Sequence, residues 1–291
     1  MPDQFVDLHC HSTASDGTLA PAEVVQLARR NGLSALALTD HDTIGGISEA
    51  ADEAAKSGLD FLPGIEISCE CSPGTMHLLG YGVDPESTVL RDLTRRLIEA
   101  RDDRNPRIIR KLNELNVAIT MAEVEAESGG GVVGRPHIAA ILLRKGYVSS
   151  IKQAFDKYLG TSGAAYFDKE RIPPREAFDL IHRSGGLPVL AHPVQLRTGN
   201  DGELARIIKD CVDLGLIGLE VIHSDHNAEL VDKYSALAEK FGLLKTGGSD
   251  FHGSNKKDID LGIANGRRVP REWFDALVER AGREKNLAHK P

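Results

Sequence analysis

The feature that most constrains this chain is a recurrence: wherever a short apolar run of strand type stops, a histidine, aspartate or glutamate stands at its end. The first instance is FVDLHCHSTASDGT, from Phe5 to Thr18, where the run ends in His9 and His11. On an extended backbone residues two apart point to the same side, so both imidazoles converge at one strand end while Cys10 faces the opposite way, as core packing. Asp16 follows in a Ser/Thr/Gly loop, close enough to bend back over the same mouth. SALALTDHD terminates in Asp40-His41, LDFLPGIEIS carries Glu66, and MHLLGYGVD has His77 near its start. LPVLAHP ends in His192, IGLEVIHSDH near His223, and LLKTGGSDFHG leads to Asp250 and His252.

Between these runs the hydrophobic period becomes helical. PAEVVQLARRNG places Pro21 at a first helical position and Gly32 at the stop, and GISEAADEAAKSG closes at Gly58. The segments PPREAFDLIHRSGG, GELARIIKDCVDLG, NAELVDKYSALAEKFG and PREWFDALVERAGREK read the same way, the last holding the only Trp, expected against the outside. About seven strands separated by helices predict an α/β protein of β/α-barrel type, because active-site groups of that architecture come from strand ends. An open doubly wound sheet would fit the alternation, yet it gathers residues near one switch point, and here nearly every strand contributes.

From Glu86 to about Leu159 helices follow one another without strands. A long helical stretch is interrupted at Pro106, Thr120 and Glu123 have capping-box spacing, Pro136 begins a helix that ends at Gly146, and Ser150 with Gln153 opens another. This predicts a helical insertion, residues 86–164, set over a barrel formed by 1–85 and 165–291. Residues 95–170 hold 13 Lys and Arg against 10 Asp and Glu, in a chain whose net charge is −8, so the insertion is the basic part.

With 291 residues, 41% of them hydrophobic, the chain can bury a core without staples, and Cys10, Cys69, Cys71 and Cys211 lack a Cys-x-x-Cys spacing and read as reduced. No run approaches the roughly 20 apolar residues of a bilayer span, and no basic-then-apolar leader precedes the first strand, so a cytoplasmic protein without membrane contact is expected. The negative charge and 5% aromatic content argue against a stable nucleic-acid complex.

His9, His11, Asp16, His41, Glu66, His77, His192, Asp250 and His252 at one rim would be costly neighbours, since charged imidazoles repel and neutral ones still need partners. Divalent cations resolve that cost. Imidazole with carboxylate suits Zn, Mn or Fe, the donors exceed what one ion can use, and a carboxylate such as Glu66 can bridge two ions. Bridged ions suit an in-line phosphoryl displacement. His182 in a helix, His289 in the tail and His226 on a surface loop are expected to stand apart from this set.

His9-Cys10-His11-Ser12 with Asp16-Gly17, Thr39-Asp40-His41, Gly64-Ile65-Glu66, Ala191-His192-Pro193 and Ser249-Asp250-Phe251-His252 resemble the successive motifs of the polymerase and histidinol phosphatase (PHP) family of metal-dependent phosphoesterases. The resemblance implies a distorted seven-stranded β/α barrel with two or three divalent ions, Mn2+ first and Zn2+ or Fe2+ as alternatives. By the same resemblance His9, His11, Glu66 and Asp250 would hold the first ion, Glu66, His77 and His192 the second, and Asp16, His41 and His252 the third. Some relatives have histidine where this chain has Asp16.

The activity implied is hydrolysis of a phosphomonoester without a covalent phosphoenzyme. His223, by position, is a candidate proton donor to the leaving group, and Asp40 is expected to orient His41 or a neighbouring ligand. Gly134-Arg135-Pro136-His137 puts Arg135 and His137 at a helix start, where free N–H groups favour an anion. There Arg135 either holds a substrate phosphate, with His137, Asp16 and His41 as further candidate substrate-binding residues, or pairs with the acidic rim. The branch with a helical cap points to a small phosphorylated nucleotide as partner, with removal of the 3′-phosphate of nucleoside 3′,5′-bisphosphates. The alternatives are a 5′-to-3′ exonuclease on short RNA or DNA, a histidinol-phosphate phosphatase and, from another class, a non-catalytic metal-binding module, which would show gaps in the ligand set.

Overall fold

The computed structural model describes residues 4–128, 133–168 and 170–288, and His289 lies outside them. Its strands are β1 (Phe5–Asp7), β2 (Ala35–Leu38), β3 (Asp60–Cys69), β4 (Met76–Tyr81), β5 (Leu187–Leu190), β6 (Gly218–Ile222), β7 (Leu244–Gly247) and β8 (Val269–Pro270). Helices α1 (Pro21–Arg30) and α2 (Ile47–Ser57) alternate with the first strands. After β4 come α3 (Thr88–Glu114), α4 (Met121–Glu127), α5 (Arg135–Arg144) and α6 (Ile151–Ala154), the last running into a π-helical turn, Phe155–Leu159. Alternation resumes with α7 (Pro174–Arg183), α8 (Asp201–Asp213), α9 (Ala228–Phe241) and α10 (Arg271–Ala288).

The strands form one sheet in the order β7-β6-β5-β4-β3-β2-β1-β8. Two-residue β8 lies antiparallel on the first half of β1. Beyond β1 the chain meets the chain beyond β7 instead: Leu8 N–H donates to Gly247 O (3.2 Å), Asp250 N–H to His9 O (2.8 Å) and His11 N–H to Phe251 O (2.9 Å). These bonds close β1 to β7 as a seven-stranded barrel and rule out the open sheet. Closure needs a residue without a side chain at Gly248, where a Cβ would fall 2.3 Å from the His9 nitrogen.

Within the barrel, β1 to β7, the paired strands are parallel except around β4, which runs antiparallel to both β3 and β5. That inversion explains why His77 stands at the start of its strand while the other rim residues stand at the ends of theirs. Ser68 pairs directly with His77, and Glu66 and Ser68 share a face of β3 by the two-residue period, so His77 and Glu66 come to the same side.

Pro106 does not interrupt the helix; it sits inside the 27-residue α3. A proline costs one intrahelical hydrogen bond, and burial on both sides offsets it. Leu90, Leu93 and Leu97 pack with the barrel helices, whereas Ile108, Ile109 and Leu112 join Val124, Ile138, Ile141, Leu142 and Leu159 in a separate apolar cluster. α3 thus carries the chain from one core to the other. The Thr120–Glu123 capping box is present, with Thr120 N–H donating to Glu123 Oε2 (2.8 Å). Trp273 packs, partly buried, between α10 and the barrel clusters. No helix among the described residues is long and apolar enough to cross a membrane.

Candidate metal centre

Glu66, fully buried on β3, is the hub of the rim. Its Oε1 lies 2.7 Å from His77 Nδ1 and 2.9 Å from His192 Nε2. Its Oε2 lies 2.9 Å from His41 Nδ1 and 3.3 Å from the Nε2 atoms of both His9 and His11. One carboxylate therefore divides five imidazoles into two groups, one per oxygen. Burial alone would raise Glu66, but the imidazoles of His41, His77 and His9 hold it well below the usual carboxylate range.

Asp250 closes the opposite side. Its Oδ1 faces His11 Nε2 at 3.3 Å and His9 Nε2 at 3.6 Å. Beyond it Asp16 Oδ1 lies 3.2 Å from His252 Nε2 and 3.9 Å from His11 Nδ1. His192 and Asp250 both hold positive φ, +23° and +57°, a backbone state that non-glycine residues occupy at a cost and that collects at functional sites.

A further carboxylate orients this set from behind. Glu220 on β6 takes His9 Nδ1 at 2.8 Å with one oxygen and accepts from His192 N–H at 2.7 Å with the other. The contact fixes the His9 tautomer and leaves Nε2 for the centre, the arrangement carboxylates impose on metal-bound histidines. Burial opposes ionisation of Glu220, yet His9 and His223 bring it down to about 2.

The donor set fits divalent cations. His9 Nε2, both ring nitrogens of His11, His41 Nδ1, His192 Nδ1 and Glu66 Oε2 are buried without a hydrogen-bond partner. Buried polar atoms in folded proteins are as a rule satisfied, so a cluster of bare lone pairs gathered in one place calls for a cation. Asp16, His11, His41 and His252 each bring a ligand atom within 4.8 Å of the others, as do His9, Glu66 and His192; His9, His11 and Asp250; and His41, Glu66 and His77. Every metal ligand expected from the sequence is at this rim.

Beside it opens a cleft of about 210 Å³ lined by Ser15, Asp16, His41, Arg101, Arg104, Arg135, Pro136 and Phe155. Three guanidinium groups from the helical segment thus face two residues of the rim. Arg101 is tethered to Asp42 Oδ2 (2.7 Å). Arg135 donates to Leu159 O (3.0 Å) and lies over the Tyr166 ring. Arg104 donates to Asn105 Oδ1 (2.9 Å) and is pulled down to about 10, first by burial and then by its neighbours Arg135 and Arg101.

A sequence profile of the PHP domain matches residues 7–241. The chain belongs to the PHP family. Within that family it is 33% identical to the 3′,5′-nucleoside bisphosphate phosphatase of Chromobacterium violaceum, over 88% of this chain and 90% of that protein. It is 35% identical to a 5′-3′ exoribonuclease of Haemophilus influenzae, over 84% of this chain and 89% of the other. Its fold superposes with a TM-score of 0.85 on a Bifidobacterium adolescentis structure described as a metal-dependent phosphoesterase, at 30% identity, over 96% of this chain and 97% of that one.

Of the other residues singled out in the sequence of this PHP chain, some stand as expected and some do not. Asp40 does not touch the His41 ring: its oxygens accept from Ser12 N–H (2.7 Å), Ser12 Oγ (2.7 Å) and Ser15 Oγ (2.6 Å), so it holds the loop that carries Asp16. His137 is buried, and its Nδ1 accepts from Gly134 N–H (2.9 Å), capping its own helix. His226 is not a surface residue; it is fully buried, with Nδ1 2.9 Å from Val221 O and its ring edge-on to Tyr234. The tight turn in which His226 N–H donates to His223 O folds it inward. His182 is exposed on α7, away from the rim. Cys10 is core, its thiol 3.3 Å from Ala37 O. Sequence reasoning missed Glu220, Arg101 and Arg104; a glutamate inside the apolar run IGLEVI was the one available signal.

Proposed function

We propose that this protein is a metal-dependent phosphatase that removes the 3′-phosphate from nucleoside 3′,5′-bisphosphates and leaves the nucleoside 5′-monophosphate. The observation that carries the reading is the shared cleft, in which the ligand residues Asp16 and His41 face Arg101, Arg104 and Arg135. A substrate with two phosphates on one small scaffold satisfies both walls: one phosphate at the ions, the other on the guanidinium forks. The named activity of the C. violaceum relative is in keeping with this.

In the proposal His9, His11, Glu66 and Asp250 hold one ion, Glu66, His77 and His192 a second, and Asp16, His41 and His252 a third, with Mn2+ as the occupant. Bound ions supply Lewis acidity, activating water and neutralising charge on the phosphoryl oxygens. The chain's residues do the rest. Glu66 keeps the two imidazole groups in register, Glu220 holds His9 with Nε2 inward, and the arginines orient the distal phosphate. His223 Nδ1 accepts from Asp225 N–H (3.0 Å), which leaves the proton on Nε2, 3.3 Å from Asp250 Oδ2. From there it is the proposed donor to the leaving alkoxide. Residues 86–164 act as the substrate cap, on a cytoplasmic barrel of 1–85 and 165–291.

The exoribonuclease relative supports a second reading, stepwise removal of nucleotides from short 5′-phosphorylated oligonucleotides. Parallel assays of the Mn2+-loaded protein on a nucleoside 3′,5′-bisphosphate, a 5′-phosphorylated dinucleotide and histidinol phosphate separate them. The primary reading predicts the highest kcat/KM on the bisphosphate. An equal or higher value on the dinucleotide transfers the assignment to the exonuclease.

A further inference from the structure

Lys256 has no part in the scheme above, yet it touches a proposed ligand. It ends the 310 turn Gly253–Lys256 that follows His252. Two bonds pin the turn to the neighbouring loop: Ser254 N–H donates to Thr18 Oγ1 (2.9 Å) and Asn255 Nδ2 to Asp16 O (2.8 Å). From this anchored position the ammonium reaches Asp250 Oδ2 at 2.5 Å, while His223 Nε2 approaches the same oxygen at 3.3 Å. Asp250 Oδ1 faces His9 and His11, with His252 Nδ1 also 3.4 Å from it. The two carboxylate oxygens are therefore assigned to different neighbours.

We propose that Lys256 is a positioning residue for Asp250: by engaging Oδ2 it keeps Oδ1 turned toward the histidine side of the centre, to the cation shared with His9 and His11. The inference rests on the ligand set proposed above. An ammonium suits the task because it is a compact point charge that can satisfy one oxygen, whereas the planar fork of arginine addresses both oxygens of a carboxylate at once. The competing role for Lys256 is direct contact with the substrate's phosphate, since its side chain is 39% exposed.

The test uses the full chain stripped of metal by a chelator. Mn2+ is titrated calorimetrically into the wild type, Lys256→Gln, Lys256→Arg and Asp250→Asn, with thermal melts to establish folding and steady-state kinetics in parallel. Asp250→Asn should lose one binding event. Lys256→Gln should keep the stoichiometry but weaken that same event about tenfold, the lower end of what an outer partner of a ligand contributes. Raising Mn2+ should restore its kcat with KM unchanged, and Lys256→Arg should fall between the two. A wild-type Mn2+ isotherm for Lys256→Gln, accompanied by a raised KM, overturns the proposal and assigns Lys256 to the substrate. If Asp250→Asn itself binds Mn2+ as the wild type does, the ligand set fails, and this inference with it.

Discussion

Arg101 on α3 reaches across from the helical segment to Asp42, the residue after His41, and pairs with its Oδ2 at 2.7 Å. Asp42 is 1% exposed, holds positive φ, and also accepts from Ser68 N–H (2.8 Å) and Ser68 Oγ (3.1 Å), on the face of β3 that carries Glu66. One ion pair thus ties the arginine side of the cleft to the metal rim. Arg101→Met removes one cation from a buried carboxylate that keeps the Ser68 bonds, so it should destabilise the chain by about 2 kcal/mol. KM for the bisphosphate should rise in the same variant. Denaturant melts and steady-state kinetics together check it; loss of stability without a change in KM would make the pair purely structural.

Glu66→Gln removes the charge that both imidazole groups share. Lewis acidity is worth several kcal/mol, and about 1.4 kcal/mol is tenfold in rate, so kcat/KM should fall on the order of 10³-fold. Metal analysis of the purified variant should show fewer ions per chain than the wild type. Full metal content with normal activity would remove Glu66 from the centre.

Proton release should accompany ion binding. Burial works against protonation of His11, but Asp250 and Glu66 raise it from 6.5 to about 9, and Glu220 and Glu66 likewise raise His9 against its burial. A metal ligand must be the neutral ring, so Mn2+ binding at pH 7.5 should displace protons and tighten as the pH climbs toward 9. In the metal-free protein the sign is opposite. A raised folded-state pKa stabilises fully below 6.5, and that contribution is lost as the pH rises through about 9. Melts of metal-free protein should therefore fall across that window, while calorimetry in buffers of different ionisation enthalpy counts the protons.

The proton on His223 is tested through the leaving group. His223→Asn should slow release of a nucleoside alkoxide by roughly 10²-fold or more, the usual contribution of a positioned acid. A p-nitrophenyl phosphate, whose leaving group departs without protonation, should be nearly unaffected. Equal losses on both substrates would assign His223 to holding Asp250 instead.

Much of this centre was legible in the sequence because a barrel converts strand ends into neighbours, and each of His9, His11, His41, His192, Asp250 and His252 stands where an apolar run stops. His77 was found for its residue type, although the inversion of β4 that brings it to the rim leaves no local mark. What stayed hidden depends on partners far away in the chain. Glu220 acts on a histidine 211 residues earlier, and Arg101 and Arg104 look like ordinary charged positions of a long surface helix. His226 and Pro106 misled for one reason: polarity and helix breaking are local tendencies, and here burial overrode both.

Whether cations gather around Glu66 is visible in crystals soaked in Mn2+ and recorded at the manganese edge. Two or three anomalous peaks are expected, each within bonding distance of His9, His11, Asp16, His41, Glu66, His77, His192, Asp250 or His252, with Glu66 touching more than one. Peaks confined to surface carboxylates, with the nine side chains in place and nothing between them, would contradict a metal centre at Glu66.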